Sequence, residues 1–92
     1  MAVKILPGKI EHIFPNPARN NVTITCVFNY ATVAAGTYLT ISNNLGVIYD
    51  SHNITTGYQN IDFNIFHYPA GSYIVRLICN GIVVDSKVFA KE

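Results

Sequence analysis

The chain has 92 residues, enough for one domain. A domain of this size buries roughly 60–65% of its unfolded surface, so its core has to be efficient. Half of the residues are apolar and only 12% are charged, against roughly 25% in an ordinary soluble domain. Asn, Thr, Ser and Tyr must therefore cover much of the surface, a balance that leans towards an exported protein. The net charge is +1, and Lys4, Lys9, Arg19, Arg76, Lys87 and Lys91 are scattered along the chain. Nucleic-acid binding needs clustered cations to displace counterions, so that class is excluded.

No apolar run approaches the roughly 18–20 residues that span a bilayer. The opening MAVKILPGK has no proper hydrophobic region of a signal peptide. An exported protein with this sequence is expected to be part of a longer one, with its leader elsewhere and Met1 an added start. Residues 1–8 read as a linker remnant or added start, and residues 9–92 as the domain.

Period-2 alternation recurs along the chain, cut by Gly, Pro and Asn-rich turns, and helix signals are nearly absent. The first strand is expected over Lys9–Phe14. Pro15-Asn16-Pro17 stops it, because each proline lacks the backbone N–H of a ladder. A second strand runs over Val22–Asn29, with Val22, Ile24, Cys26 and Phe28 on one face. Residues 31–36 form a small-residue connection. A third strand over Tyr38–Ser42 and a fourth over Val47–Asp50 flank the turn Asn43-Asn44-Leu45-Gly46. Residues 51–57 read as a loop.

Tyr58–Ile65 alternates cleanly, with Ile61, Phe63 and Ile65 inward and Asn60, Asp62 and Asn64 outward. After the turn Tyr68-Pro69-Ala70-Gly71, Ser72–Cys79 places Tyr73, Val75, Leu77 and Cys79 on one face, and Arg76 marks the wet side. Asn80-Gly81 predicts a type I′ hairpin. In the last strand, Ile82–Ala90, the period predicts Ile82, Val84, Val88 and Ala90 on the apolar face and Asp85 and Lys87 on the other. About seven short antiparallel strands with turn signals every 8–12 residues predict an all-β fold, a single Ig-like or Greek-key β-sandwich.

No constellation for catalysis stands out. His12, His52 and His67 lack metal-ligand spacing, so neither a metal nor a cofactor is expected. The carboxylates Asp50, Asp62 and Asp85 alternate with apolar neighbours, as solvent-facing residues do, and show no acid/base pairing. There is no phosphate loop and no nucleophile elbow. Asn21-Val22-Thr23 and Asn53-Ile54-Thr55 fit glycosylation acceptors, which an Asn/Thr-rich chain produces by chance. Cys26 and Cys79 fall on the core faces of two strands. Two readings stand open: a disulfide between them, or two buried thiols acting as small hydrophobes.

Several motifs stand in register. They are Ile13-Phe14-Pro15-Asn16-Pro17-Ala18, Asn21-Val22-Thr23-Ile24 and the segment Leu39–Ile48 with Gly46. After Ile61-Asp62-Phe63 come Tyr68-Pro69-Ala70-Gly71-Ser72-Tyr73-Ile74-Val75-Arg76-Leu77, then Asn80-Gly81-Ile82 and a last strand carrying Lys87 and Lys91. In this order and spacing, over about residues 10–92, the chain resembles the type A C-terminal sorting domain of the type IX secretion system of Bacteroidetes. Residues 30–37 and the Gly46 segment depart from the usual pattern, and the two cysteines are not expected of the family.

The resemblance implies a non-enzymatic secretion signal, with Pro15, Asn16, Pro17, Gly46, Pro69, Ala70, Gly71, Tyr73, Lys87 and Lys91 as its recognition residues. It implies a cargo domain on the N-terminal side of the same parent chain, an outer-membrane translocon, and a sortase-like surface peptidase that often removes the domain. The route would pass through the periplasm to the cell surface or beyond. A different class, an adhesion or carbohydrate-binding sandwich, would use exposed aromatics, here Tyr30, Tyr49 and Tyr58. Open sheet edges also leave room for an edge-strand dimer.

Overall fold

In a computed structural model, seven strands form two antiparallel sheets packed face to face. The structure describes residues 8–32 and 36–92, the side chains of 29–32 and 56 excepted. The strands are β1 (Gly8–Phe14), β2 (Asn21–Thr32), β3 (Thr37–Asn43), β4 (Ile48–Asn53), β5 (Thr56–Asn64), β6 (Gly71–Cys79) and β7 (Ile82–Lys91). One sheet has the order β1-β2-β5 and the other the order β4-β3-β6-β7. The β-sandwich expected from the alternation is therefore the observed architecture.

The core follows the period-2 reading in β2, β5 and β6. Val22, Ile24, Cys26 and Phe28 of β2 face Leu39 and Ile41 of β3 and Tyr73, Val75 and Leu77 of β6 across the interior. Ile61, Phe63 and Ile65 close it from the β5 side, and Ile10 from β1. Asn80 and Gly81 both take positive φ, 52° and 80°, so the β6–β7 hairpin has the type I′ form the Asn-Gly pair calls for.

Several strand ends differ from the expectation by one residue, and three connections differ as follows. Of the expected linker at residues 1–8, Gly8 belongs to β1 and the rest lies outside the described residues. The connection expected at 31–36 starts later, because β2 continues to Thr32, which pairs with Thr56; residues 33–35 lie outside the described residues. The expected loop at 51–57 is mostly strand. β4 runs to Asn53 because His52 and Asn53 find ladder partners in Leu39 and Tyr38. Ile54 is then buried, with its N–H donated to the Thr37 carbonyl, so the chain crosses between sheets in two residues. Polar side chains suggested a loop, but on an edge strand polar residues are what solvent exposure permits.

The face assignment of β7 is overturned. Phe89 is the buried side chain, at 1% exposure, whereas Ile82, Val88 and Ala90 are exposed and Val84 is only half-buried. The register explains it. Phe89 stands opposite Tyr73, Lys87 opposite Val75 and Asp85 opposite Leu77, all on the inward side, and Val88 stands opposite Ile74 on the outer side. A register shift between Leu77 and Ile78 inserts an extra residue, Val84, into β7. A bulge breaks strict alternation, so no single parity describes this strand.

The two cysteines are free thiols, Cys26 buried in β2 and Cys79 half-buried at the end of β6. Thr37 Oγ1 donates to Cys79 Sγ at 3.5 Å. Burial, and to a lesser degree the nearby Asp85 carboxylate, push the Cys26 thiol up to about 12, so it stays protonated as a small apolar group.

Candidate functional site

The ladders run so that one end of the sandwich collects most of the motif residues. The end of β1 meets the start of β2, and Asn21 pairs with Asn64 at the end of β5. In the other sheet, the end of β3 pairs with the start of β6, and Gly71 pairs with Lys91 at the end of β7. The Pro-Asn-Pro turn, the Gly46 turn, Pro69-Ala70-Gly71, Tyr73 and Lys91 thus share this end. Lys87 lies further along β7, opposite Val75, on the inward side of an edge strand with its side chain in solvent.

The Pro-Asn-Pro segment is fastened across to β7. Asn16 Oδ1 accepts the N–H of Ala90 at 3.0 Å. Ala18 donates its N–H to the Ala90 carbonyl and accepts the N–H of Glu92, both at 2.8 Å, which makes a short parallel bridge between Ala18 and Lys91. The Arg19 guanidinium meets Glu92 Oε2 at 2.6 Å, and that contact raises the guanidinium's already high pKa. Ala18 is fully buried. Without an N–H on Pro15 or Pro17, the segment bonds only through Asn16, Ala18 and their neighbours, so it covers the edge of β7 for two residues and then turns away. Sequences seventy positions apart become one surface here.

Further along the same edge, the Asp85 carboxylate turns inward and accepts the N–H of Ile10 at 2.8 Å. It ties the edge strand β7 of one sheet to the edge strand β1 of the other. An inward carboxylate and an added bridge both discourage a foreign strand from pairing there. Reading Asp85 as merely solvent-facing missed this role.

Behind the turn lies an aromatic cluster. Tyr68 sits 4.9 Å from Tyr49 and 5.1 Å from Tyr73, and Tyr73 stacks on Phe89 at 5.7 Å. The Tyr68 hydroxyl donates to Asp50 Oδ2 and the Tyr73 hydroxyl to the Pro69 carbonyl. Burial, reinforced for Tyr68 by the Asp50 carboxylate and for Tyr73 by Tyr49, raises both phenols above their ordinary range, so both remain neutral donors. The Pro69 bond ties the Pro-Ala-Gly turn to the ring two residues beyond it. Gly71 begins β6 at φ 152°, a conformation that L side chains rarely adopt, and this directs Tyr73 to the core. Gly46 has φ 88° in a turn held by Asn43, whose Oδ1 accepts the N–H of Leu45 and of Val47 at 2.9 Å.

Around these turns the rim is unusually apolar for exposed residues. Leu45, Val47, Phe66 and Phe14 are all at least half exposed. A shallow cleft of about 470 Å3, lined by Asn20, Asn21, Asp62, Phe63, Asn64 and Phe66, lies beside them. Among the described residues no group of three His, Cys, Asp or Glu side chains could hold a metal ion. The tyrosines of the carbohydrate reading are not gathered: Tyr49 packs into the aromatic cluster, Tyr58 faces outward from the other sheet, and the Tyr30 side chain lies outside the described residues.

Sequence reasoning identified the turns but missed what they touch. Ala18, Arg19, Glu92, Tyr68, Asp50 and Phe89 complete the site. Ala18 and Tyr68 stood within the motifs and Asp50 among the carboxylates, but none had been given these contacts; Phe89 was legible only as the one aromatic residue of the last strand.

No curated protein matches the chain at a significant level. The model of the secretion system C-terminal sorting domain, the sorting signal of type IX secretion, matches residues 12–91 and so includes every motif gathered at this end of the sandwich; the chain belongs to that family.

Proposed function

We propose that the end of the sandwich built by Pro15–Arg19, Gly71–Tyr73 and Ala90–Glu92 is the surface that the secretion machinery reads. As a member of its family the domain is a sorting signal carried by a cargo protein and recognised by the secretion system, with the cell surface or the extracellular space as its destination. The family is not one of enzymes. The finer reading is that an outer-membrane translocon engages this end after the parent has reached the periplasm. A sortase-like surface peptidase then acts on the parent chain.

The observation that supports this most is the bridge from Asn16 and Ala18 to Ala90 and Glu92. The surface exists only when the first turn and the last strand are both folded into place. A receptor for such a surface reads a completed fold, with Pro15, Asn16, Pro17, Gly46, Pro69, Ala70, Gly71, Tyr73 and Lys91 shaping it, Lys91 as a cation at this end and Lys87 as a second cation further along β7.

The test is a fusion of residues 1–92 to a periplasmic reporter in a Bacteroidetes host. The wild-type fusion is exported. Asn16→Ala removes one hydrogen bond, worth about 0.5–1.5 kcal/mol, and so leaves most molecules folded while export falls. Lys87→Ala with Lys91→Ala leaves melting nearly unchanged, since exposed charges contribute little to stability; a fall in export then assigns recognition to charge. A wild-type fusion that stays periplasmic, while another sorting domain exports the same reporter, refutes the reading.

A further inference from the structure

The outer face of the four-stranded sheet carries aliphatic side chains on both sides of the polar row Ser51, Thr40, Arg76 and Ser86, in which Arg76 marks the solvent side. Across this face Ile48 stands on β4, Ile74 and Ile78 on β6, and Val83 and Val88 on β7, in rows set by the ladder register. Ile48, Val83 and Val88 are each 50% exposed or more. Arg76 sits between these rows, opposite Thr40 and Ser86. One of its guanidinium nitrogens donates to Ser42 Oγ at 2.9 Å, and among the described residues no carboxylate lies within ion-pair reach of it. On the outer face of the other sheet Thr23 bonds to Asp62 and Thr25 to Asn60.

Aliphatic side chains exposed on both sides of Arg76, on a chain with 12% charged residues, are costly to leave in water. Arg76 is half-buried, stands between Thr40 and Ser86, has donors to spare and is oriented by Ser42. Arginine so placed is a typical anchor at the centre of a protein interface, where a carboxylate meets it in two parallel bonds.

We infer that the outer face of the β4-β3-β6-β7 sheet docks a protein partner whose contact segment is apolar and carries one Asp or Glu, which pairs with Arg76. This second contact surface is separate from the motif end. It rests on the sorting reading for the choice of host and for the export readout, but not for the crosslink.

The experiment uses the reporter fusion in the same host, with a photo-crosslinking side chain at position 88 and, as a control, at the exposed position 58 on the opposite face. Position 88 gives a crosslink whose partner peptide contains an acidic residue. Arg76→Glu removes this crosslink and lowers export about thirtyfold, the effect of losing one interface anchor, while melting of the purified domain is unchanged. Replacing the partner's acidic residue by Lys restores both for the Arg76→Glu fusion.

Export of Arg76→Glu at the wild-type level, a crosslinked segment without an acidic residue, or no rescue by the reversed charge overturns the inference. So does a dimer of the purified domain that Arg76→Glu dissolves, because the face would then bind a second copy. If Arg76→Glu fails to fold, Ile48→Ser with Val88→Ser replaces it, two exposed positions with the same expected loss of crosslinking and export. A wild-type fusion that is not exported refutes the sorting reading instead, and the crosslink with its charge reversal then decides the face alone.

Discussion

Replacing Phe89 by Ala removes a ring that is 1% exposed and stacked on Tyr73 at 5.7 Å and 23°. Deleting a fully buried phenyl costs about 3–5 kcal/mol, the transfer of the ring plus the cavity it leaves. A domain of this size has about 5–15 kcal/mol to lose, and about 4–8 °C of melting temperature accompany each kcal/mol. Phe89→Ala should therefore lower the midpoint by at least about 12 °C. The neighbouring Val88→Ala is the internal control. Val88 is 59% exposed on the outer face, and a surface truncation of this kind changes stability by about 0.5 kcal/mol or less. Urea melts of both variants, read by circular dichroism, give the two costs side by side. Strict alternation along β7 predicts the reverse order, with Val88 the costly residue. A Val88→Ala cost equal to or above that of Phe89→Ala would refute the register, because a one-residue slip exchanges the faces.

Gly71→Ala should cost about 1–3 kcal/mol through backbone strain alone, since an added Cβ meets open space but φ stays at 152°; a melt unaffected by the substitution would show that β6 can start in an ordinary conformation. Stability should fall at alkaline pH. The Cys26 thiol is pushed up to about 12 and the Tyr68 phenol is also raised, so the neutral forms favour the fold; that stability is complete below about pH 9, near the unfolded thiol's value, and is lost as pH climbs from there towards 12. Thermal melts between pH 8 and 11, as round bounds on that window, should show the decline, and Tyr68→Phe should flatten it above about pH 10. Two free thiols should be found by mass spectrometry without reductant, with Cys79 alkylated before Cys26 because only Cys26 is fully buried. Equal labelling rates would show that the sheets open at β2.

The all-β class, the seven strands and the inward sets of β2, β5 and β6 were legible in the chain because alternation and turn chemistry are local properties. Asn80-Gly81 specifies its hairpin by backbone preference alone, and Gly71 announces a conformation other residues avoid. The motif spacing carried the family for the same reason, since each motif is a turn and the strand it launches.

What the turns do to one another was not legible. Whether Val88 or Phe89 faces the core depends on which residue of β6 each meets and on the extra residue at Val84, and neither is encoded in β7 by itself. Asp85 reads as a surface carboxylate until β1 is brought beside it and Ile10 offers an N–H. Arg76 marks the wet side in the sequence, but that Ile48 of β4, Val83 and Val88 of β7 and Ile74 and Ile78 of its own strand line the same face is set only by the ladder register. The sequence by itself determined where the chain turns and which strands alternate, because those preferences act within a few residues. The joining of Asn16 and Ala18 to Ala90 and Glu92 was decided only by the tertiary structure, because hydrogen bonds across more than seventy residues depend on how the two sheets stack.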